Sequence, residues 1–332
     1  MKAVVFHNYG GPEVLRIEDV AEPVVGARDV LVAVHATSVN PVDAKARAGG
    51  NRGAMRYKLP WILGLDVSGV VEKIGAEVTA FVVGDAVWST PSHKRPGCYA
   101  ERVAIHQDEL SLKPTNLSHA EAASLPLVGL TAMQCLLPRL SQRAGQRVFI
   151  QAGAGGVGSV AIQIAKAFDA WVATTASPKN QALVTDLGAD LVIDYRTAAF
   201  EDVLTNIDVA LDCLGAVERT KALAIMARGG RLATINADLP AMTKKYGPSL
   251  ALRAVGLKLM WFKLQTATRG LDGASVIKRT SAAQLAQLAE MVQSGAVRPV
   301  IDSIRPMDEI VSAHAHMDTG RARGKIVLTG WC

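Results

Sequence analysis

Eleven residues carry the strongest chemical signal in the chain: Val148-Phe149-Ile150-Gln151-Ala152-Gly153-Ala154-Gly155-Gly156-Val157-Gly158. Gly153, Gly155 and Gly158 keep the G-x-G-x-x-G spacing, directly after an apolar run and directly before Val157, Val160, Ala161, Ile164 and Ala165 at helical period. Gly153 suits a tight turn, Gly155 lets backbone approach a pyrophosphate, and Gly158 lets the helix close on the strand. The helix start, including Gly156 and Val157, then presents unpaired N–H groups and the positive end of a dipole to phosphate. This is the chemistry of dinucleotide binding.

The type of dinucleotide is read at the next strand. An NAD site usually carries an acid about 20 residues beyond the glycines to hold the ribose 2′-hydroxyl. Here Ala170–Thr175 runs into Ala176-Ser177-Pro178-Lys179 with no acid at its end. Ser177 can hydrogen-bond a 2′-phosphate and Lys179 can neutralise it, so NADPH is the expected cofactor. Ser177-Pro178 also reads as a helix N-cap followed by proline at the first helical position.

The elements that position these residues fall into two regimes. Strand-like runs at 2–7, 14–20, 29–36, 67–74, 85–88 and 99–105, separated by Gly, Pro and Asp turns, predict a β-barrel-like module over 1–122. From 123 to 265, strands alternate with helices, as in a doubly wound parallel sheet. Its strands are expected at 147–152, 170–175, 190–194, 207–213 and 231–235, with a sixth at 257–263. The helices are expected at 156–168, 178–187, 197–205 and 217–227. A helix at 281–294, a strand at 297–301, a helix at 307–319 and a closing strand at 324–328 lie in 266–332, which is expected to complete the first module.

Composition bounds the partners. The 332 residues are 49% hydrophobic with a net charge of +6 and no run of five or six basic residues, which gives no footprint for nucleic acid. No window is read as a membrane span, and none is expected. The N-terminal apolar stretch is too short for a signal peptide and reads as a first strand. Cys98, Cys135, Cys213 and Cys332 are far apart, without a C-x-x-C pair, and read as incidental thiols. A cytoplasmic location is expected.

Several stretches together resemble the zinc-independent quinone oxidoreductase branch of the medium-chain dehydrogenase/reductase superfamily. They are Ser38-Val39-Asn40-Pro41-Val42-Asp43, Leu63-Gly64-Leu65-Asp66-Val67-Ser68-Gly69, Val83-Gly84-Asp85-Ala86-Val87, Ala122-Ala123-Ser124-Leu125-Pro126, the glycine turn, Ile193-Asp194-Tyr195-Arg196 and Gly324-Lys325-Ile326-Val327-Leu328. The resemblance implies an α/β chain: a GroES-like β-barrel catalytic domain, split around a Rossmann domain, with the active site in the cleft between them. Catalytic zinc in this superfamily needs Cys and His ligands. Leu65 stands where a histidine would be expected, the N-terminal ligand loop offers Asn40 and Asp43 but no cysteine, and residues 88–105 hold only Cys98. The expected metal content is none.

By the same resemblance Asn40 touches substrate or nicotinamide near the hydride, and Asp43 is either functional or a partner for backbone amides. Lys45 occupies a position that is tyrosine in several quinone oxidoreductases and tends to be lysine in plant-type enone reductases; it faces either the cleft or solvent. Thr131 matches a threonine near the nicotinamide ribose, and Tyr195 a tyrosine near the 2′-phosphate. Cys213 and Asn236 end sheet strands on the ligand side, and Arg323 or Lys325 could close on the phosphate or nicotinamide. The implied reaction is hydride transfer from NADPH to a quinone or an α,β-unsaturated carbonyl. Trp261 and Phe262, in Leu257–Phe262, resemble the edge strand through which relatives form homodimers. Two alternatives stay open: a nucleotide-binding protein with little catalytic role, crystallin-like or RNA-binding, and a zinc alcohol dehydrogenase.

Overall fold

The computed structural model describes residues 1–331, so Cys332 lies outside the described residues. The chain divides into two units, the first built from residues 1–130, 279–295 and 299–332, the second from 131–278 and 296–298.

In the first unit β1 (Lys2–Phe6) pairs with β2 (Leu15–Asp19). The long β3 (Asp29–Val39) leads into the short helix α1 (Pro41–Arg47), and β4 (Trp61–Ile62) adds to β1. The larger sheet continues through β5 (Val67–Ile74), β6 (Ala86–Ser89), β7 (Arg102–His106) and β8 (Leu110–Leu112). Helix α2 (His119–Ala122) follows, and α3 (Pro126–Leu140) runs from this unit into the next. Valines alternating along β3 and β5 are buried, as a half-covered antiparallel strand requires.

The second unit is a six-stranded parallel sheet. Its strands are β9 (Arg147–Ile150), β10 (Trp171–Thr175), β11 (Leu191–Ile193), β12 (Ile207–Asp212), β13 (Met226–Thr234) and β14 (Asp272–Ser275). Helices α4 (Gly156–Ala167), α5 (Pro178–Asp186), α6 (Phe200–Val203), α7 (Ala216–Ile225) and α8 (Leu239–Thr268) connect them. The order β11-β10-β9-β12-β13-β14 reverses direction between β9 and β12, so ligands bind at the carboxyl ends of those strands. Phe149, Ala173, Ala210, Leu223, Leu232 and Phe262 belong to one buried cluster of this unit.

The tail returns to the first unit as α9 (Ala282–Gln293), β15 (Ile301–Pro306), α10 (Ile310–Asp318) and β16 (Lys325–Thr329). The strand expected at 297–301 lies at 301–306, in parallel register with β16. β16 in turn pairs antiparallel with β3, Ile326 opposite Val39.

One element differs in kind. Residues 257–263, expected as the sixth strand and the dimer edge, are helical, inside α8. A short apolar run does not tell strand from helix, and burial of Ala251, Val255, Phe262 and Thr266 follows helical spacing. The sixth strand is β14, the sequence Asp-Gly-Ala-Ser, which has no β-branched or aromatic residue to announce it. The second unit accordingly runs past the boundary expected at 265, to Lys278.

Candidate active site

In the second unit, the glycine turn joins β9 to α4. Each glycine is sterically required to a different degree. A Cβ on Gly158 would stand 2.3 Å from the carbonyl oxygen of Ala152, and one on Gly153 would stand 2.2 Å from Thr174 Oγ1. Gly155 is looser, its nearest neighbour being Ala152 O at 3.3 Å. The loop is therefore packed tightly on its protein side and open at Gly155, the position where backbone must approach a pyrophosphate. Gly156, Val157 and Gly158 form the first turn of a twelve-residue helix, whose leading amides lack intrahelical acceptors.

The neighbouring β10 ends at Thr175, whose hydroxyl accepts from Ala152 N at 3.0 Å and fastens the turn. Ser177 is buried at the N-cap of α5, Lys179 is exposed in its first turn, and no acidic residue lies in that turn. Tyr195 is exposed beyond β11, and Thr131 is buried in α3. Asp212, buried at the end of β12, accepts from Leu214 N at 2.9 Å, Gly215 N at 2.8 Å and Thr234 Oγ1 at 2.6 Å. Burial raises the pKa of its carboxyl. Cys213, beside it, has its thiol pKa pushed well up by burial, then by Asp212. Asn236 is committed locally: Nδ2 donates to Leu214 O at 3.0 Å and Oδ1 accepts from Asp238 N at 3.1 Å. The donor set fits NADPH: an open glycine cradle at a helix start, and a serine and a lysine where an acid would repel a 2′-phosphate.

In the first unit, strand pairing gathers a buried polar cluster. Asn40 follows the last residue of β3, Asp66 precedes β5, and Lys325 opens β16; β3 pairs with both other strands. All three side chains are buried. Asp66 Oδ2 accepts from Ser38 Oγ at 2.7 Å, from Asn40 Nδ2 at 2.8 Å and from Lys325 Nζ at 3.2 Å. Its Oδ1 accepts from Leu127 N at 2.8 Å, in the first turn of α3. Lys325 Nζ also donates to Asn40 Oδ1. The amide is thus held at both ends. Its remaining N–H direction meets only Ser38 O, at 3.4 Å.

Asp43 lies next to this cluster without joining it. Its carboxylate accepts from Asn40 N at 3.1 Å, Gly64 N at 3.3 Å and Tyr99 Oη at 3.3 Å, closing the start of α1. Burial, and then the Asp66 charge, push its pKa up to about 7. Behind it runs a buried chain. Arg47 donates to His314 Nδ1 at 3.0 Å, so the ring proton sits on Nε2, 3.3 Å from the Tyr99 hydroxyl. Arg47 is also paired with Asp318 at 2.6 Å. Burial, with Arg47 alongside, lowers the pKa of His314 to about 3.

The sequence-predicted residues therefore separate. Asn40 and Lys325 meet in one cluster, with Asp43 adjoining it, whereas Lys45 is exposed on α1 and Arg323 is exposed before β16, its N–H on Asp302 Oδ1 at 2.8 Å. Asp66, Ser38, Tyr99, Arg47 and His314 escaped the sequence reading as members of a network. The available signal was Asp66 itself, a carboxylate inside the apolar run Leu63–Val71, where a charge has to find partners. Leu65 is buried beside it. Among the described residues no three His, Cys, Asp or Glu side chains converge as metal ligands.

Residues 26–115 match the alcohol dehydrogenase GroES-like domain, and residues 187–328 match a domain described as zinc-binding dehydrogenase. The human protein named NAD(P)H oxidoreductase RTN4IP1, mitochondrial, is 34% identical across 99% of this chain and 89% of its own length. The chloroplastic NADPH-dependent alkenal/one oxidoreductase of Arabidopsis thaliana is 35% identical across 99% of this chain and 79% of its own length. The solved quinone oxidoreductase of Coxiella burnetii superposes with a TM-score of 0.87 at 32% identity, covering 100% of this chain and 99% of that one. With the glycine turn, the GroES-like sheet and Leu65 at the ligand position, these likenesses have one reading: the chain belongs to the zinc-independent quinone oxidoreductase branch of the medium-chain dehydrogenase/reductase superfamily.

Proposed function

We propose that this protein is an NADPH-dependent reductase of quinones and α,β-unsaturated ketones or aldehydes that works without a metal. The observation that carries the reading is the buried Asn40 amide, fixed by Asp66 and Lys325, in a chain with Leu65 where metal-dependent relatives place a histidine. When bound, NADPH supplies the hydride. Gly153, Gly155, Gly156, Val157 and Gly158 hold its pyrophosphate, and Ser177, Lys179 and Tyr195 its 2′-phosphate. Thr131, Cys213 and Asn236 serve the nicotinamide end. Lys325 is committed to Asn40, which leaves the exposed Arg323 as the cation for phosphate.

A conjugated acceptor needs little Lewis-acid help, because the incoming charge spreads onto an oxygen. What it needs is a preorganised donor at that oxygen. Asn40 offers the N–H now turned to Ser38 O, and the Lys325 ammonium on Oδ1 polarises the amide so that this N–H donates more strongly. Lys45 is the cation we assign to enone oxygens.

The protein acts in the cytoplasm as a homodimer on small molecules, with neither nucleic acid nor membrane as partner. Supporting the location, Cys135 and Cys213 are outside any disulfide, as a reducing compartment keeps thiols. The test is NADPH oxidation with 1,2-naphthoquinone and with a short enone. Asn40→Ala should lower kcat and kcat/KM together on every acceptor, by up to about 100-fold, with NADPH affinity intact. An unchanged Asn40→Ala enzyme, or a parent inert toward both acceptor classes, overturns the reading.

A further inference from the structure

Arg47 at the end of α1, His314 on α10, Tyr99, and Asp43 in the first turn of α1 are all buried, and the reaction as described leaves them without a task. Polar groups held away from water need partners, and here the partners form a line that runs one way. Arginine has no lone pair to offer, so Arg47 donates to His314 Nδ1 at 3.0 Å. The neutral ring then carries its proton on Nε2 and donates to Tyr99 Oη at 3.3 Å. Tyr99 Oη accepts on that side and donates on the other, to Asp43 Oδ2 at 3.3 Å. The phenol ring is fixed as well. It stands edge-on to His314 with centroids 5.7 Å apart at 89°, and a Cβ on Gly64 would lie 2.5 Å from Tyr99 Cδ1.

The line ends on the site. Asp43 Oδ2 also accepts from Asn40 N at 3.1 Å, and Oδ1 accepts from Gly64 N at 3.3 Å. Asp66, two residues beyond Gly64, takes Asn40 Nδ2 at 2.8 Å. The main chain and the side chain of Asn40 are therefore both tied to residues 64–66, the first through Asp43 and the second through Asp66. We propose that Tyr99 is a positioning residue for hydride transfer: its hydroxyl, aimed by His314, holds Asp43 on the Asn40 main chain and so sets the direction in which the Asn40 amide meets the substrate oxygen. The proposal rests on the Asn40 reading above and adds what orients that asparagine from behind.

Three donors converge on Asp43, and only an ionised carboxylate accepts all three in full. Burial and then Asp66 oppose that charge, whereas Lys325 favours it. Tyr57 and Tyr99 stay neutral phenols, their pKa values raised by burial and then by Asp43 itself. Farther back His314 is neutral, and Arg47 is paired with Asp318. The balance sets the Asp43 titration at about 7. Asn40 is accordingly held on the alkaline side of neutrality and loosened on the acid side.

The test is kcat for NADPH oxidation with a short enone, followed from pH 5 to pH 9 on the full chain. In the parent, kcat should rise with pH through about 7. Tyr99→Phe keeps the ring against Gly64 and removes only the hydroxyl. With one donor fewer on the carboxylate, the rise should move up by about one pH unit, and kcat at pH 7 should fall about fivefold with KM for NADPH unchanged. In an Asn40→Ala background, Tyr99→Phe should change kcat by no more than about twofold, because the amide it positions is gone. Circular dichroism should show every variant folded. A Tyr99→Phe enzyme that loses stability but keeps the parent's pH profile reveals packing alone and overturns the proposal. So does a parent kcat flat across the range, or a Tyr99→Phe loss of equal size with and without Asn40. In each of these cases an impaired Asn40→Ala enzyme leaves the Asn40 reading standing, whereas Asn40→Ala with the parent's kcat overturns both.

Discussion

Replacing Asp43 with asparagine should leave a protein that is less stable than the parent in mild acid and no less stable in mild base. The folded carboxyl titrates at about 7, against an ordinary value of 3.8. A shift of that size corresponds to roughly 4 kcal/mol at 1.36 kcal/mol per unit, an upper bound for a buried group beside another charge. Between about pH 4 and 7 the folded chain holds a proton that the unfolded chain has released. Stability from this group is therefore fully present in acid and declines as pH rises to 7. His314 and His119, whose values are lowered to about 3 and about 4, work in the opposite sense, losing their contribution as pH falls below about 6.5. The two trends mask each other in the parent, and the difference between parent and variant isolates Asp43. Asparagine also turns an NH2 group toward donors that Asp43 now accepts, Gly64 N among them, at a pH-independent cost of about 1–3 kcal/mol. Urea midpoints of both proteins at pH 5, 6, 7 and 8 should show the parent's advantage shrinking with pH and vanishing or reversing near pH 8. A difference constant across that range would refute the assignment of Asp43 as a buried, titrating carboxyl.

Lys179→Ala should weaken NADPH in a fluorescence titration by about tenfold while leaving NADH nearly unchanged; equal affinities for the two cofactors in the parent would sink the choice of phosphate site. Gly158→Ala places a methyl 2.3 Å from the Ala152 carbonyl oxygen and 2.8 Å from Gly153 Cα, both backbone atoms that have no free rotation to escape. It should cost more than tenfold in NADPH affinity with the chain still folded, and a variant that binds normally would show that the turn is not the cradle.

Local signals were legible in the sequence and distant ones were not. The glycine turn, the alternating strands of the first unit and the five strands from β9 to β13 each announce themselves within about a dozen residues. Leu257–Phe262 misled because its helix is apolar on the inside and on the outside, which erases the period that separates helix from strand. Asp-Gly-Ala-Ser became β14 because β13 offered an open edge, a cause that no property of those four residues records. Lys325 was legible as a residue with a task but not as to which one. Its partner Asn40 lies 285 positions away, and only the pairing of β16 with β3 brings the two together.

That pairing explains why an ion pair is tolerated in the core. A buried carboxylate and ammonium usually cost more in lost hydration than their attraction returns, unless the remaining polar valences are filled. Asp66 meets the condition: Ser38, Asn40, Lys325 and the backbone of Leu127 all donate to it, the last from a helix N-terminus whose dipole favours negative charge. With the carboxylate satisfied, Lys325 is fixed where its other contact falls on the Asn40 amide. The cluster thereby spends burial on orientation. An amide free to rotate would have to be ordered at the moment charge develops on a substrate oxygen, whereas one held at both ends has been ordered by folding. Lys325→Met tests this division of labour. It should cost catalysis through a loose Asn40 and cost stability through the unpaired Asp66 charge, about 3–5 kcal/mol. Adding Asp66→Asn should return stability without returning kcat. If the double variant regained both, Asn40 would not need its tether, and the cluster would be structural alone.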